Sequence, residues 1–114
     1  MWIKMLRISI TVPTLTKNGD SVDNKHVLGA VVSSLANKFG GTTTTDGVGS
    51  WVNDQGTTIT ERVSIVSTLV DTDKHDQSEA IAYSEGVARH VRTELDQDCV
   101  LLTAETVDIV KFVS

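Results

Sequence analysis

Residues 42–70 read TTTTDGVGSWVNDQGTTITERVSIVSTLV, and this stretch decides the fold. Thr42–Val52 is rich in β-branched residues, which favours extended backbone. Asn53-Asp54-Gln55-Gly56 is a cluster of turn formers. Thr57–Val70 follows as a long second run of strand-forming residues. Two such runs around a short polar turn predict a β-hairpin.

Working outward, each side of the hairpin carries a helix and then a strand. Before it, Val27, Leu28, Val31, Val32, Leu35, Ala36 and Phe39 recur at helical spacing. Gly40-Gly41 is a stop signal for that helix, and Asp20, Ser21 or Asp23 is positioned to cap its start. Further upstream, Leu6, Ile8, Ile10 and Val12 alternate with Arg7, Ser9 and Thr11, the period of a half-buried strand that Pro13 ends. After the hairpin, Asp76 and Glu79 match a capping box. Ala80, Ser84, Val87, Ala88, Val91 and Leu95 then mark a second helix. Gly86 within it suggests close packing against the sheet. Cys99–Val107 reads as the last strand, with Asp108–Val113 continuing it or forming a short extra one.

The order β-α-β-β-α-β is the split βαβ pattern of a ferredoxin-like α+β sandwich. Right-handed crossovers put both helices on one face of a four-stranded antiparallel sheet. The other face is left bare, as a surface for another subunit. The 114 residues show no linker or repeat, so residues 1–114 are expected to form one domain with a sizeable core.

Composition narrows function without naming it. The net charge of −5 argues against non-specific nucleic-acid or anionic-membrane binding. No apolar run approaches the roughly 18 residues of a membrane span. Met1–Val12 is broken by Lys4, Arg7 and Ser9 and lacks a small-residue cleavage site, so no signal peptide is expected. Cys99 is the single cysteine, consistent with a reducing cytoplasm, and it opens an apolar run, which suggests a small core residue. His26, His75 and His90 are scattered without metal-ligand spacing, and no phosphate-binding glycine loop occurs, so no metal is expected.

Glu61 is the leading candidate for chemistry. It shares its phase with Ile59, Val63, Ile65 and Leu69, and a carboxylate on an apolar side needs a partner. One reading is a group held for a cationic ligand or a proton transfer; the other is a structural ion pair, for instance with Arg7. Gly47 and Gly49 let a backbone or a ligand come close, or form a bulge. Trp51 offers a π face to a cation or a purine, or plugs a packing contact. Gln97 and Asp98, in the turn before the last strand, are candidate ligand contacts, and Glu105 is a second carboxylate on the sheet.

Gly86-Val87-Ala88-Arg89 and Glu94-Leu95-Asp96-Gln97-Asp98-Cys99-Val100-Leu101-Leu102 resemble the last helix and strand of the phage S-adenosylmethionine lyases, formerly called hydrolases. Gly49-Ser50-Trp51 with Glu61 ten residues after the tryptophan is similar to that family's G-x-aromatic…E segment. The resemblance spans Phe39 to Val113. Phe39-Gly40-Gly41-Thr42, Gly49-x-Trp51, Gly56 and Glu61 also resemble a group of small bacterial domains of unassigned function. The lyase resemblance implies a ferredoxin-like, PII-like homotrimer with ligand sites between subunits and a cytoplasmic location in a phage-infected host. It also implies a cofactor-free reaction in which the methionyl carboxylate of S-adenosylmethionine attacks its own γ-carbon. The products are methylthioadenosine and homoserine lactone. Glu61 falls where the family's functional glutamate lies, with Trp51, Gly47, Gly49, Gln97, Asp98 and Glu105 as expected substrate contacts. The family's aromatic is a tyrosine; here it is Trp51. The rival expectation is a non-catalytic ligand-binding or structural trimer on the same scaffold.

Overall fold

The structure is a computed structural model and describes residues 3–114. Its elements run β1 (Ile3–Val12), α1 (Lys25–Phe39), β2 (Thr43–Val52), β3 (Thr58–Asp71), α2 (Gln77–Glu94) and β4 (Leu102–Val110). The sheet order is β2-β3-β1-β4, antiparallel throughout, which is the ferredoxin-like α+β arrangement.

The alternation in β1 sets the core. Leu6, Ile8, Ile10 and Val12 are buried with Val66 and Val70 of β3. Val27, Val31 and Leu35 of α1, with Ala88 and Val91 of α2 and Leu95 just after it, close over Ile10, Val12 and Val66, so both helices cover one face. Two buried hydroxyls in this layer are satisfied by carbonyls, because an unpaired one would cost stability. Thr68 donates to Gly41 O at 2.7 Å, and Ser84 donates to Ala80 O at 2.8 Å.

The helix ends follow local chemistry. Gly40 adopts a left-handed φ of 105°, and its N–H bonds Ala36 O, so α1 stops where the double glycine allows it. The N-cap of α1 is Asn24, one residue past the expected candidates, and Asp23 instead accepts from Lys25 N at 3.1 Å. Asp76 caps α2 by accepting from Glu79 N at 3.2 Å.

Three expectations are corrected. The last strand begins at Leu102 rather than Cys99, and it continues to Val110 through a bulge in which three steps on β4 span two on β1. Cys99 therefore lies in the connection before the strand and is exposed, not in the core. Gly86 faces open space rather than the sheet: a Cβ placed there meets nothing within 4 Å.

The hairpin is longer than the sheet it belongs to. β1 pairs with β3 only from Asp71 back to Ser64, where Pro13 ends β1. β2 keeps pairing with β3 as far as Thr58. The six residues Thr58–Val63 and their β2 partners thus form an arm roughly 20 Å long beyond the third strand. The molecule is accordingly elongated, 50 × 26 × 22 Å, with a radius of gyration of 15.2 Å against about 13 Å for a compact domain of this length.

The solvent-facing Gly86 yields a prediction. Gly86→Ala should stabilise the protein by about 0.4–1 kcal/mol, because it reduces the freedom of the unfolded chain and meets no clash. Thermal unfolding checks this; a lower melting temperature would show that the position is packed after all.

Candidate functional site

The site is built on the arm. In an antiparallel pair, residues directly opposite share a face. Gly47 faces Val63, Gly49 faces Glu61, and Trp51 faces Ile59. All six lie on the face away from the helices, because the helix-facing set on β3 is Ser64, Val66, Thr68 and Val70. The phase that joins Glu61 to Val63, Ile65 and Leu69 is therefore the open side of the sheet rather than the core side.

The register through the glycines is unbroken from Thr43–Ser67 to Val52–Thr58, so they make no bulge. Their effect is steric. A Cβ on Gly49 would lie 3.4 Å from a Val63 methyl, and one on Gly47 would lie 3.8 Å from the other. Without side chains at these two positions, β2 lets the Val63 side chain pack over its backbone beside Glu61. Trp51, 42% exposed, lies two residues beyond Gly49 on the same face and is not a core plug. The tip beyond it is fixed by Asn53, whose side-chain oxygen accepts from Gln55 N at 3.0 Å and Thr57 N at 2.9 Å.

Glu61 is half-buried and makes no ion pair with any described residue. Arg7, its candidate structural partner, is bound instead to Glu105 at 3.0 Å. Burial pushes the Glu61 carboxyl above its ordinary value of 4.5, while the backbone amide of Leu15 works in the opposite direction and is the smaller influence. A half-desolvated carboxylate without a cation is one suited to receive a cation from outside.

The other expected residues are distributed differently. Gln97 donates through its side-chain amide to Leu15 O at 2.5 Å and to Leu95 O at 2.9 Å, so it reaches the Glu61 region through the loop after β1. Asp98 is exposed and lines a separate cavity of about 280 Å³ with Cys99, Arg89 and Arg92. Glu105 is aligned through Arg7 with Leu69, eight residues or roughly 26 Å along β3 from Glu61. One chain thus brings together Gly47, Gly49, Trp51 and Glu61, and keeps Glu105 apart from them. A cavity of about 690 Å³ also lies at that far end, lined by Met5, Arg7, Gly41, Leu69 and Phe112 among others. Leu15 was not anticipated; no side-chain pattern in the sequence marks a backbone amide that folds back onto a strand.

No family model matches the chain, and no curated protein matches it. Two solved structures are similar. A phage SAM lyase in complex with S-methyl-5'-thioadenosine superposes with a TM-score of 0.72 at 9% identity, covering 96% of this chain and 90% of that one. A phage SAM lyase in the apo state gives 0.63 at 12% identity, covering 99% and 90%. The fold is therefore that of the phage SAM lyase structures.

The raised Glu61 carboxyl makes a signed prediction. The fold favours its neutral form, so the penalty is absent below about pH 4.5 and grows as pH rises through the elevated folded value. Glu61→Gln should raise the melting temperature at pH 7 and leave it unchanged near pH 4. A mutant destabilised at pH 7 would mean that Glu61 has a cationic partner within the folded protein.

Proposed function

We propose that this chain is an S-adenosylmethionine lyase. The observation that carries the reading is a half-buried carboxylate, without an ion-pair partner among the described residues, on the same face of the arm as Trp51, Gly47 and Gly49, on a fold shared with a phage SAM lyase in complex with S-methyl-5'-thioadenosine. The reaction forms a bond from the methionyl carboxylate oxygen to the γ-carbon. The γ-carbon–sulfur bond breaks, and its electron pair stays on sulfur. Methylthioadenosine and homoserine lactone result, with no water consumed and no proton transferred.

Charge decides what Glu61 does. The sulfonium loses its positive charge in the transition state, so a carboxylate pressed against it would stabilise the ground state more. The α-ammonium keeps its charge throughout. Glu61 therefore serves best as its anchor, fixing the conformer in which the substrate's own carboxylate reaches the γ-carbon. Because opposite charges cancel as the bond forms, a site poor in water accelerates the step. Trp51 covers the adenosine by stacking, and the Gly47 and Gly49 backbone admits it closely.

A homotrimer supplies the water exclusion. The face away from the helices carries Ile65 and Leu69, half-buried in the single chain, and Trp51, 42% exposed. Packing by further copies would cover these and enclose Glu61. The observation favouring the non-catalytic rival is Trp51 itself: it has no hydroxyl, so it stacks without the hydrogen bond of a tyrosine.

Incubation with S-adenosylmethionine should release methylthioadenosine and homoserine lactone, separated by chromatography. Glu61→Gln should lower affinity or rate about ten- to a hundredfold, the worth of a hydrogen bond to a charged group of roughly 1.5–3 kcal/mol. Binding without product would favour the rival; normal specific activity in the mutant would defeat the role given to Glu61. Light scattering at micromolar concentration should give three times the chain mass, and a monomer would remove the enclosed site.

A further inference from the structure

We infer that the cavity at the end of the sheet remote from Glu61 binds a free α-amino acid with an apolar side chain. Its floor is two directly opposite pairs on the face away from the helices, Met5 with Asp71 and Arg7 with Leu69. The end of α1 supplies one wall through Phe39 and the double glycine, and the turn after β3 supplies Lys74 and His75. The volume of about 690 Å³ lies within the ordinary range of small-molecule sites. Leu69 in the floor is eight residues, roughly 26 Å, along β3 from Glu61, so this cavity is separate from the arm.

The charges in the lining choose the ligand. Arg7 is already bound to Glu105 at 3.0 Å. Asp71 and Lys74 line the same cavity, yet neither forms an ion pair with the other or with any other described residue. A ligand of one sign would meet its own sign at one of the two, which costs affinity. A ligand carrying both charges satisfies both, with its ammonium at Asp71 and its carboxylate at Lys74. Met5, Leu69 and Phe112, the last from the segment after β4, offer apolar surface to the rest of it. Two opposite charges on an apolar body are the chemistry of an apolar α-amino acid.

The lining is held in place by bonds of its own. Asp71 accepts from Asp73 N through its side chain at 3.0 Å, which fixes the carboxylate. Its backbone carbonyl accepts from Lys74 N and His75 N, each at 3.0 Å, so the same turn sets where Lys74 starts. On the far wall, Thr68 ties Gly41 O to β3 at 2.7 Å. Phe39 is braced edge-on by His75 at 5.1 Å and by Tyr83 at 5.8 Å. A site fixed in this way loses little freedom when a ligand enters.

The probe is L-phenylalanine, titrated into the protein while its backbone amides are followed by NMR. It should shift the amides of Gly41, Lys74 and His75. Glycine, with the same charges and no apolar body, should shift them far less. N-acetyl-L-phenylalanine lacks the ammonium and L-phenylalaninamide lacks the carboxylate; each should bind about tenfold more weakly, the worth of one hydrogen bond between charged groups at a half-exposed site. Asp71→Asn keeps an acceptor for Asp73 N. It should weaken L-phenylalanine about tenfold and leave the N-acetyl compound unchanged. Lys74→Gln should do the same to L-phenylalanine and spare the amide. Equal binding of the three phenylalanine compounds overturns the inference, as does an absence of shifts at these amides. Binding lost in Glu61→Gln and kept in Asp71→Asn would put the amino acid on the arm and overturn it as well. Turnover of S-adenosylmethionine enters none of these readouts, so the lyase reading stands or falls separately.

Discussion

The pairing of β2 with β3 outruns the pairing of β3 with β1, and the rest of the molecule's functional layout depends on that mismatch. Pro13 has no N–H to offer a ladder and ends β1 opposite Ser64. The hairpin continues for six more residues of β3 with a strand on one side only. Glu61 sits in that extension. Had β1 continued, the carboxylate would lie in the middle of a three-stranded floor, flanked on one side by a β1 side chain. Instead one neighbour is glycine and the other is a loop.

That exposure has a cost and a use. A two-stranded ribbon has little independent stability, so it needs support at its base. The loop after β1 supplies it through Thr14, and the α2–β4 turn supports the loop through Gln97 and Asp96. The use is access. With a loop rather than a third strand beside it, the arm leaves one flank free next to a carboxylate that burial has made reluctant to ionise. A ligand bringing its own cation would reverse that reluctance, because it replaces lost solvation with a direct partner.

The likeness to the phage SAM lyase structures covers nearly the whole chain, yet at 9–12% identity it speaks to the path of the backbone. A fold hosts many functions, so the weight of the functional reading lies on the residues. Here the ring and the carboxylate are grouped on the segment that this chain extends beyond its third strand.

The sequence by itself determined the elements and their order. Alternation in β1 and the helical spacing in α1 and α2 are local periodicities, and they survive folding because each records a face turned to one core. The turn at Asn53–Gly56 and the stop at Gly40 were equally legible, since their chemistry acts within a few residues. Glu61, Gly49 and Trp51 could be singled out individually from residue type and phase. Only the tertiary structure decided which face of β3 is covered, that Glu61 stands opposite Gly49, and that Arg7 is spent on Glu105. It also turned Cys99 outward and Gly86 to solvent, because the last strand starts later than its apolar run and Gly86 lies off the stripe of Ala80, Ser84, Ala88 and Val91 that α2 buries. Those outcomes depend on register and on contacts between residues far apart in the chain. The pairing of Arg7 with Glu105, 98 residues apart, is the extreme case: only the folded register of β1 against β4 can say which carboxylate meets the guanidinium.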